Sequence, residues 1–350
     1  MAGRLRVLGA GPGATLQDGG RFGYLRYGVT PAGPMDWTAF RTANLALGNN
    51  DRAATLEVPA GGIEVICEGA PLWVAFAGGT FVWRRSGTAL PRAARLLLEP
   101  GETLAARAGD YGAFTYLAAA GGFDTPLVMG SRATHSRSRL GGIEGRMLRA
   151  DDCLPAAIPS QERDGANFEA LIDAPWLDRD PDPFRVVPGP QDDCFTPESL
   201  RAFFAGTFTL TPAADRMAYR LEGPEIAHAR GHDIVSDGVA LGAIQIPGDK
   251  KPLVLMADRQ PTGGYPKLGH VERADIGRLA QMRPGETCGF RPVSVAEARA
   301  ALLACEDTIA ATPQRLRPLR RALTTESLFE ANLIGGVIDP LDSERFESKF

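Results

Sequence analysis

The sequence contains Pro100-Gly101-Glu102-Thr103, and the same four residues return as Pro284-Gly285-Glu286-Thr287. Two looser pairs of segments keep the same order along the chain. They are residues 56–59 with 244–247, and 21–26 with 216–221. The spacing between partners shrinks slowly along the chain, as differences in loop length would produce. Three ordered matches therefore predict a duplicated domain.

Both copies are rich in short apolar segments separated by glycine, proline or aspartate. Many short strands at close spacing are typical of a barrel or a sandwich. The predicted strands cover residues 63–66, 72–76, 95–98, 103–106 and 113–118 in the first copy, and 244–246 and 253–256 in the second. We therefore predict a mainly β fold with a few helices.

Three predicted helices have recognisable start signals. Asp36 is a candidate N-cap for a helix over residues 37–47, and we prefer this role to an acid/base role. Thr196-Pro197 begins a second helix, because proline suits the first helical position, and Gly206 ends it. Ser294-Val295-Ala296-Glu297 is a capping box that opens a third helix through about residue 303.

A polar, acidic and proline-rich segment separates the two copies. We place a first domain at residues 1–155, a linker at 156–184, a second domain at 185–305 and a C-terminal extension at 306–350. The extension contains an apolar stretch, residues 328–334, that needs a surface to cover it. The sequence therefore predicts a binding partner or intramolecular packing for this stretch.

The composition indicates a globular chain that can bury a full core. The chain has 350 residues, 44% of them hydrophobic and 23% charged, and a net charge of −4. No basic face and no long apolar run is visible, so neither nucleic acid nor a membrane is an expected partner. The five scattered cysteines favour a reducing, cytoplasmic location, and no metal site is predicted.

Residues 257–267 concentrate polar side chains directly after a predicted buried strand. The segment reads Ala-Asp-Arg-Gln-Pro-Thr-Gly-Gly-Tyr-Pro-Lys, and its prolines and glycines end the strand in a shaped loop. An ordinary surface turn rarely combines a carboxylate, a guanidinium, an amide, a phenol and an ammonium group. We therefore expect the chemistry of the protein here.

Six ordered motifs together resemble one protein family. They lie at residues 17–24, 28–36, 130–134, 188–191, 236–238 and 258–267. Over about residues 3–300 the chain resembles the C-subunit family of 5-oxoprolinase, also called allophanate hydrolase subunit 2 or KipA. It is similar as well to the carboxyltransferase domain of urea amidolyase and of other biotin-dependent urea carboxylases.

The resemblance implies two tandem related cyclophilin-like β-barrel domains, in agreement with the repeat. It also implies a hydrolase complex: family members act with a KipI-like B-subunit and with an A-subunit as an ATP-dependent 5-oxoprolinase, which opens 5-oxoproline to glutamate. Gly263-Gly264 lacks the spacing of a P-loop, so ATP is expected to be used by the complex without a P-loop in this chain.

Two other functions stay open on the sequence alone. The chain could be the carboxyltransferase component of a biotin-dependent urea or amide carboxylase. Carboxybiotin would then come on a partner, because the chain has no Met-Lys-Met attachment signature. It could also be a non-catalytic, KipA-like regulatory binding subunit. The absence of a Ser-cisSer-Lys amidase pattern argues against direct allophanate hydrolysis.

Four residues are candidates for catalysis. Lys267 is a compact cation for a carboxylate or carboxyphosphate oxygen, and Tyr265 can donate to an oxyanion. Asp258 is a candidate acid or base. Arg132 is a candidate bidentate clamp for a carboxylate or phosphate.

Further polar residues are candidates for substrate binding. Glutamines suit an amide or ureido ligand, because a primary amide is both donor and acceptor. Arginines suit acidic groups, although structural ion pairs with nearby aspartates are the competing interpretation. The candidates are Gln17, Asp18, Ser131, Gln191, Arg216, Arg220, Ser236, Asp237, Gln245, Arg259, Gln260, Thr262, Gly263 and Gly264.

Overall fold

The computed structural model describes residues 3–158 and 168–319. The fold is mainly β, as the sequence predicts, and includes a nearly closed, barrel-like sheet. The strands up to residue 158 are β1 (Arg4–Ala10), β2 (Thr15–Gln17), β3 (Thr55–Pro59), β4 (Ile63–Glu68), β5 (Leu72–Gly78), β6 (Val82–Arg85), β7 (Thr88–Ala89), β8 (Ala94–Leu98), β9 (Thr103–Arg107), β10 (Phe114–Ala119) and β11 (Cys153–Pro155).

The strands after residue 168 are β12 (Ala170–Ile172), β13 (Phe184–Pro188), β14 (Phe208–Ala214), β15 (Ala218–Glu222), β16 (Asp237–Gly238), β17 (Ala243–Gln245), β18 (Leu253–Leu255), β19 (Thr262–Gly263), β20 (Lys267–Val271), β21 (Thr287–Cys288), β22 (Phe290–Pro292) and β23 (Leu316–Pro318). All seven predicted strands have an observed counterpart whose ends differ by one or two residues.

The strands form three large sheets and one small ribbon. The first sheet has the order β11-β1-β4-β9-β6-β7, and the second has the order β2-β3-β10-β5-β8-β12-β23. The third, from the second half of the chain, has the order β21-β14-β15-β18-β17-β20-β13-β22, and β16 pairs only with β19. β12 comes from the predicted linker and β23 from the predicted extension, so both segments contribute to a first-half sheet. The proposed domain limits stay a prediction.

Helix capping follows the sequence signals closely. The described residues form α1 (Trp37–Ala46), α2 (Pro197–Ala205), α3 (Arg273–Ala280) and α4 (Val295–Ala310). The Asp36 side chain accepts from Ala39 N, and the capping box at Ser294 and Glu297 is present. Both predictions are confirmed. α4 runs past the predicted end near residue 303, because no glycine or proline interrupts it before Pro313.

The repeated Pro-Gly-Glu segment has the same local structure in both places. Gly101 and Gly285 have φ of 93° and 92°, a region that glycine occupies without strain. Gly101 N donates to Cys67 O, and Gly285 N donates to Leu210 O. In each turn the following glutamate side chain accepts from the backbone N–H three residues earlier. The sequence repeat therefore corresponds to one repeated turn, which leads into β9 in the first half and into β21 in the second.

One apolar core crosses the two halves of the chain. Phe40 and Tyr116 from the first half belong to the same buried cluster as Tyr219, Ile276 and Leu279 from the second. α1 packs against β5 and β10 of the first half and also against α3. Because shared burial fixes the halves against each other, polar groups at their junction can be held in a defined geometry.

Two further observations concern the described residues as a whole. None of the helices in residues 3–158 and 168–319 is long and apolar enough to cross a membrane. All five cysteines have free thiols.

Candidate active site

Lys267 is buried at the start of β20, with only 2% of the residue exposed. Its Nζ donates to Asp237 Oδ2 at 2.6 Å and lies 3.4 Å from Gly238 O. The hydrogen bond from the Lys267 ammonium lowers the pKa of Asp237. Lys267 is therefore the first residue of a strand and not the end of an exposed loop, because the chain turns back into the sheet at this residue. We call Lys267, Asp237, Gln191 and Gln245 the lysine cluster.

Two glutamines complete the lysine cluster. Gln191 Oε1 accepts from Lys267 N at 3.2 Å. Gln245 is the register partner of Lys267 across β17 and β20 and is fully buried. Gly263 borders Gln245 so closely that an added Cβ would lie 2.5 Å from Gln245 Nε2. A glycine is therefore required where the β16–β19 ribbon crosses the cluster.

A second polar group centres on Arg216 and joins the two halves. Arg216 Nε and Nη2 donate to the two carboxylate oxygens of Asp258 at 2.9 and 2.8 Å. Its Nη1 pairs with Glu57, a fully buried residue of β3, and its Nη2 also donates to Gly33 O at 2.7 Å. We call Arg216, Asp258 and Glu57 the arginine network. The two carboxylates raise the pKa of Arg216, so the guanidinium stays charged.

The arginine network continues through buried hydrogen bonds to α1. Tyr116 Oη donates to Glu57 Oε2 at 2.7 Å and accepts from Asp36 N at 2.8 Å. Gln281 Nε2 then donates to Asp36 Oδ2 at 2.7 Å. Burial raises the pKa of Asp36 and raises that of Tyr116 strongly. The chain of contacts fixes the position of Glu57, and through it that of Arg216.

First-half motif residues form a braced loop. Asp18 accepts from Gly20 N at 2.9 Å, from Ser131 Oγ at 2.6 Å and from Arg132 N at 2.6 Å. The Arg132 side chain donates to Thr125 O and pairs with Asp124. Asp18 therefore connects the motif at residues 17–24 to the motif at residues 130–134 by hydrogen bonds.

A cavity of about 440 Å³ opens between the two halves. Thr15, Phe114 and Thr134 line it from the first half, and Arg216, Tyr219 and Asp258 line it from the second. A concave site with a few convergent polar groups is the usual form of a small-molecule site. Arg216 and Asp258 of the arginine network thus line a space large enough for a small ligand.

Three glutamine side chains near these groups have a carbonyl oxygen without a partner. Oε1 of Gln17, Gln245 and Gln260 is buried and makes no hydrogen bond to the described residues. The Gln17 amide nitrogen is used, because it donates to Thr15 Oγ1 and to Thr134 O. Native structures leave few buried polar atoms unsatisfied. These three oxygens are therefore candidates for contacts to the N–H donors of a ligand.

The remaining predicted residues have other surroundings. Arg220 pairs with Asp249 on the surface, which is the structural ion pair that competed with a binding role. Arg259 Nε donates to Val239 O at 3.1 Å. The β16–β19 ribbon contains Thr262 and Gly263. Gly264 and Tyr265 come directly after it in the chain, and Ser236 lies beside Gly264.

Sequence reasoning missed Glu57, Arg21 and His135. Glu57 had a signal, because a carboxylate inside an apolar strand needs a buried partner. Arg21 is 1% exposed and donates to Val128 O and Ala133 O. His135 has a pKa lowered mainly by burial and lies within reach of the charges on Asp258, Arg216 and Arg21. Arg21 lies within the motif of residues 17–24, whereas no spacing pattern marks His135. In the described residues no group of three or more metal-ligating side chains is assembled.

The sequence profile of the family described as "Carboxyltransferase domain, subdomain A and B" matches residues 27–292. The C-subunit of Escherichia coli 5-oxoprolinase is 35% identical over 294 residues, which are 84% of this chain and 93% of that protein. Urea amidolyase of Saccharomyces cerevisiae is 32% identical over 82% of this chain and 17% of its own length. The sequence thus matches one relative almost end to end and a small part of another.

The solved structure of Kluyveromyces lactis urea amidolyase superposes with a TM-score of 0.81 at 27% identity. The match covers 90% of this chain and 21% of that protein. This chain therefore spans about a fifth of the length of that protein.

Proposed function

The chain belongs to the carboxyltransferase domain family, subdomains A and B, and from this we propose that it is the C-subunit of a 5-oxoprolinase. In this proposal it acts with an A-subunit and a B-subunit, and the complex uses ATP to open the lactam of 5-oxoproline to glutamate. The near-complete match to the Escherichia coli C-subunit supports this choice over the short match to urea amidolyase.

The observation that carries the proposal is the set of free glutamine acceptors. A lactam, a urea and the ureido ring of biotin each place N–H donors beside a carbonyl group. Gln245 Oε1 is buried without a partner among the described residues and lies on the strand paired with Lys267. An amide bound through its N–H to Gln245 would thus sit in a site that also holds an ammonium group.

Lys267 has the main electrostatic role in the proposed reaction. When a nucleophile adds to the amide carbonyl, negative charge develops on the carbonyl oxygen. A preorganised cation in a dry site stabilises that charge. Asp237 and Gly238 O hold the Lys267 ammonium in position. Asp258 positions Arg216 in this proposal, because both of its oxygens are used in that pair. The predicted acid/base role of Asp258 is therefore not part of this proposal.

A second candidate function keeps the same site. The family match and the superposition on urea amidolyase favour a carboxyltransferase that moves a carboxyl group from carboxybiotin on a partner to a urea or amide nitrogen. The free glutamine acceptors suit the ureido ring equally well. A KipA-like regulatory protein that binds the ligand without turnover is the third outcome.

Reconstitution tests these alternatives. The chain is co-purified with the A- and B-subunits, and glutamate formation from 5-oxoproline and ATP is measured. Gln245→Met removes the free acceptor in the site, and Gln314→Met, at an exposed position, is the matched control. We expect turnover in wild type and control and a loss of at least about 10-fold in Gln245→Met, the scale of one lost hydrogen bond to a buried group.

The remaining outcomes separate the other functions. Urea- or amide-dependent carboxylation with a biotinylated partner, without 5-oxoproline turnover, would assign the second function. Binding without either reaction would assign the third.

A further inference from the structure

Arg259 is a buried cation without an acidic partner among the described residues. It lies next to Gln260 in the motif of residues 258–267, and only 8% of the residue is exposed. Its Nε donates to Val239 O, and no carboxylate of the described residues forms an ion pair with it. Its two terminal nitrogens make no hydrogen bond to the described residues and are not sealed from solvent. Burial, together with the charge of Arg273, lowers the pKa of Arg259 to about 10.

Arg273 adds a second cation from the first turn of α3. Its guanidinium lies 5.2 Å from the ring centre of Trp37, and the guanidinium groups of Arg41 and Arg52 each lie 5.9 Å from the same ring. Among the described residues, only Arg41 of these three has ion-pair partners, Asp51 and Glu306. The surface beside Arg259 therefore carries positive charge that no carboxylate in the described part of the chain offsets by an ion pair.

Such a grouping is unfavourable without a counter-ion. A buried charge costs free energy unless it is paired, and neighbouring like charges repel each other. A bound anion would remove both costs. A guanidinium whose terminal nitrogens are accessible can bind a carboxylate through two parallel hydrogen bonds.

The anion site is connected to the lysine cluster through one short segment. Arg259 Nε donates to Val239 O, and Lys267 Nζ lies 3.4 Å from Gly238 O. Two cations thus contact adjacent carbonyl groups, Arg259 from the loop between β18 and β19 and Lys267 from β20. A molecule that carries an amide and an acid group a few bonds apart matches this arrangement, whereas urea has no acid group to offer.

We infer that Arg259 and Arg273 form a carboxylate-binding subsite that selects an acidic cyclic amide over a neutral urea. The inference rests on the proposed function, because it assigns the substrate amide to the lysine cluster. In it Arg259 provides the bidentate contact, and the exposed Arg273 adds positive charge beside it.

The test measures binding to the full chain, alone and co-purified with the A- and B-subunits, by calorimetry. The probes are 5-oxoproline, 2-pyrrolidinone, which is the same lactam without the carboxylate, and urea. The variants are Arg259→Gln, Arg259→Lys and Arg273→Gln. Arg201→Gln, which breaks an exposed pair with Glu198, is the control.

We expect wild type and Arg201→Gln to bind 5-oxoproline at least about 10-fold more tightly than 2-pyrrolidinone. Arg259→Gln should weaken 5-oxoproline binding by about 10- to 100-fold, the scale of a charge-assisted hydrogen bond, and leave 2-pyrrolidinone binding unchanged. Arg259→Lys should recover part of the loss, because it restores the charge without the fork. Arg273→Gln keeps the buried arginine and should give a smaller loss of the same kind.

Different results would contradict the carboxylate subsite and the proposed function. Equal binding of 5-oxoproline and 2-pyrrolidinone, unchanged in the Arg259 and Arg273 variants, would overturn the carboxylate subsite and leave the amide site intact. Tighter binding of urea than of either lactam, or no binding of any lactam in either preparation, would overturn the proposed function as well. If Arg259→Gln does not fold, Arg273→Gln and Arg259→Lys decide between these outcomes.

Discussion

Lys267 and Asp237 form an ion pair whose two members differ sharply in exposure. Their Nζ and Oδ2 atoms are 2.6 Å apart, and 2% of the lysine side chain is exposed against 56% of the aspartate side chain. The ammonium is therefore held inside the protein by a carboxylate that water can reach. Removing the lysine leaves the hydrated carboxylate of Asp237 unpaired. Removing the aspartate charge leaves the buried ammonium of Lys267 unpaired.

The first prediction uses this asymmetry. Lys267→Met should lower kcat of the reconstituted complex by about 100-fold or more, the scale of one lost electrostatic donor in a preorganised site. The variant should still fold, because the free Asp237 is solvated. Asp237→Asn should lower Tm more than Lys267→Met does, because the buried Lys267 ammonium then loses its paired carboxylate. Equal or reversed Tm changes, measured by thermal melts, would contradict the assignment of the buried partner.

The second prediction concerns Arg216. Arg216→Met leaves the carboxylates of Glu57 and Asp258 buried without a counter-charge. We expect a loss of about 3–5 kcal/mol in the free energy of unfolding, measured by urea denaturation. The control Arg220→Met breaks an exposed pair and should cost about 0–1 kcal/mol. Similar losses in the two variants would show that the arginine network does not hold the halves together.

The third prediction is a pH dependence that arises from Asp36. Burial raises its pKa above the ordinary value near 3.9, so the folded state keeps a proton that the unfolded chain has lost. The stability contributed by Asp36 is therefore fully present below about pH 4 and falls as the pH rises through the folded pKa. We expect the free energy of unfolding of wild type, relative to Asp36→Asn, to fall as the pH rises from about 4 to the folded pKa of Asp36. Above that pKa the difference should level off. A constant difference between pH 4 and 8 would contradict the raised pKa.

The fourth prediction tests the repeated turn. Gly101 and Gly285 have nearly equal positive φ, and an added Cβ would meet no atom within 4 Å at either position. Gly101→Ala and Gly285→Ala should therefore each cost about 1–2 kcal/mol, from the backbone conformation alone. Gly231 has equal space and no positive φ, so Gly231→Ala should cost nothing. Losses that differ clearly between Gly101→Ala and Gly285→Ala would show that the two turns are not equivalent.

The fifth prediction concerns assembly. We expect the isolated chain to have negligible 5-oxoproline turnover and to co-elute with the B-subunit in size-exclusion chromatography. The apolar stretch at residues 328–334, which motivates the expectation, lies outside the described residues. A chain shortened after residue 319 is the direct comparison. Rapid turnover by the isolated full chain would refute the requirement for a partner.

Local signals in the sequence were sufficient for the strands, the caps and the repeated turn. Asp36, Thr196 and Ser294 each cap the helix that the sequence assigns to them, because capping depends on residues one turn apart. α3 was missed because its N-cap is Glu272, which is not among the preferred capping residues. The family could be recognised because its motifs are short and ordered along the chain.

The sequence by itself thus determined a mainly β fold, its family and the segments that carry the polar groups. Only the tertiary structure decided which of those groups face one another. Glu57 and Arg216 are 159 residues apart, and nothing local to either predicts their contact. The burial of Lys267 was likewise decided by the pairing of β20 with β17 and by the ribbon that crosses it. Propensity and capping act within a few residues, whereas burial and charge pairing depend on how distant strands pack.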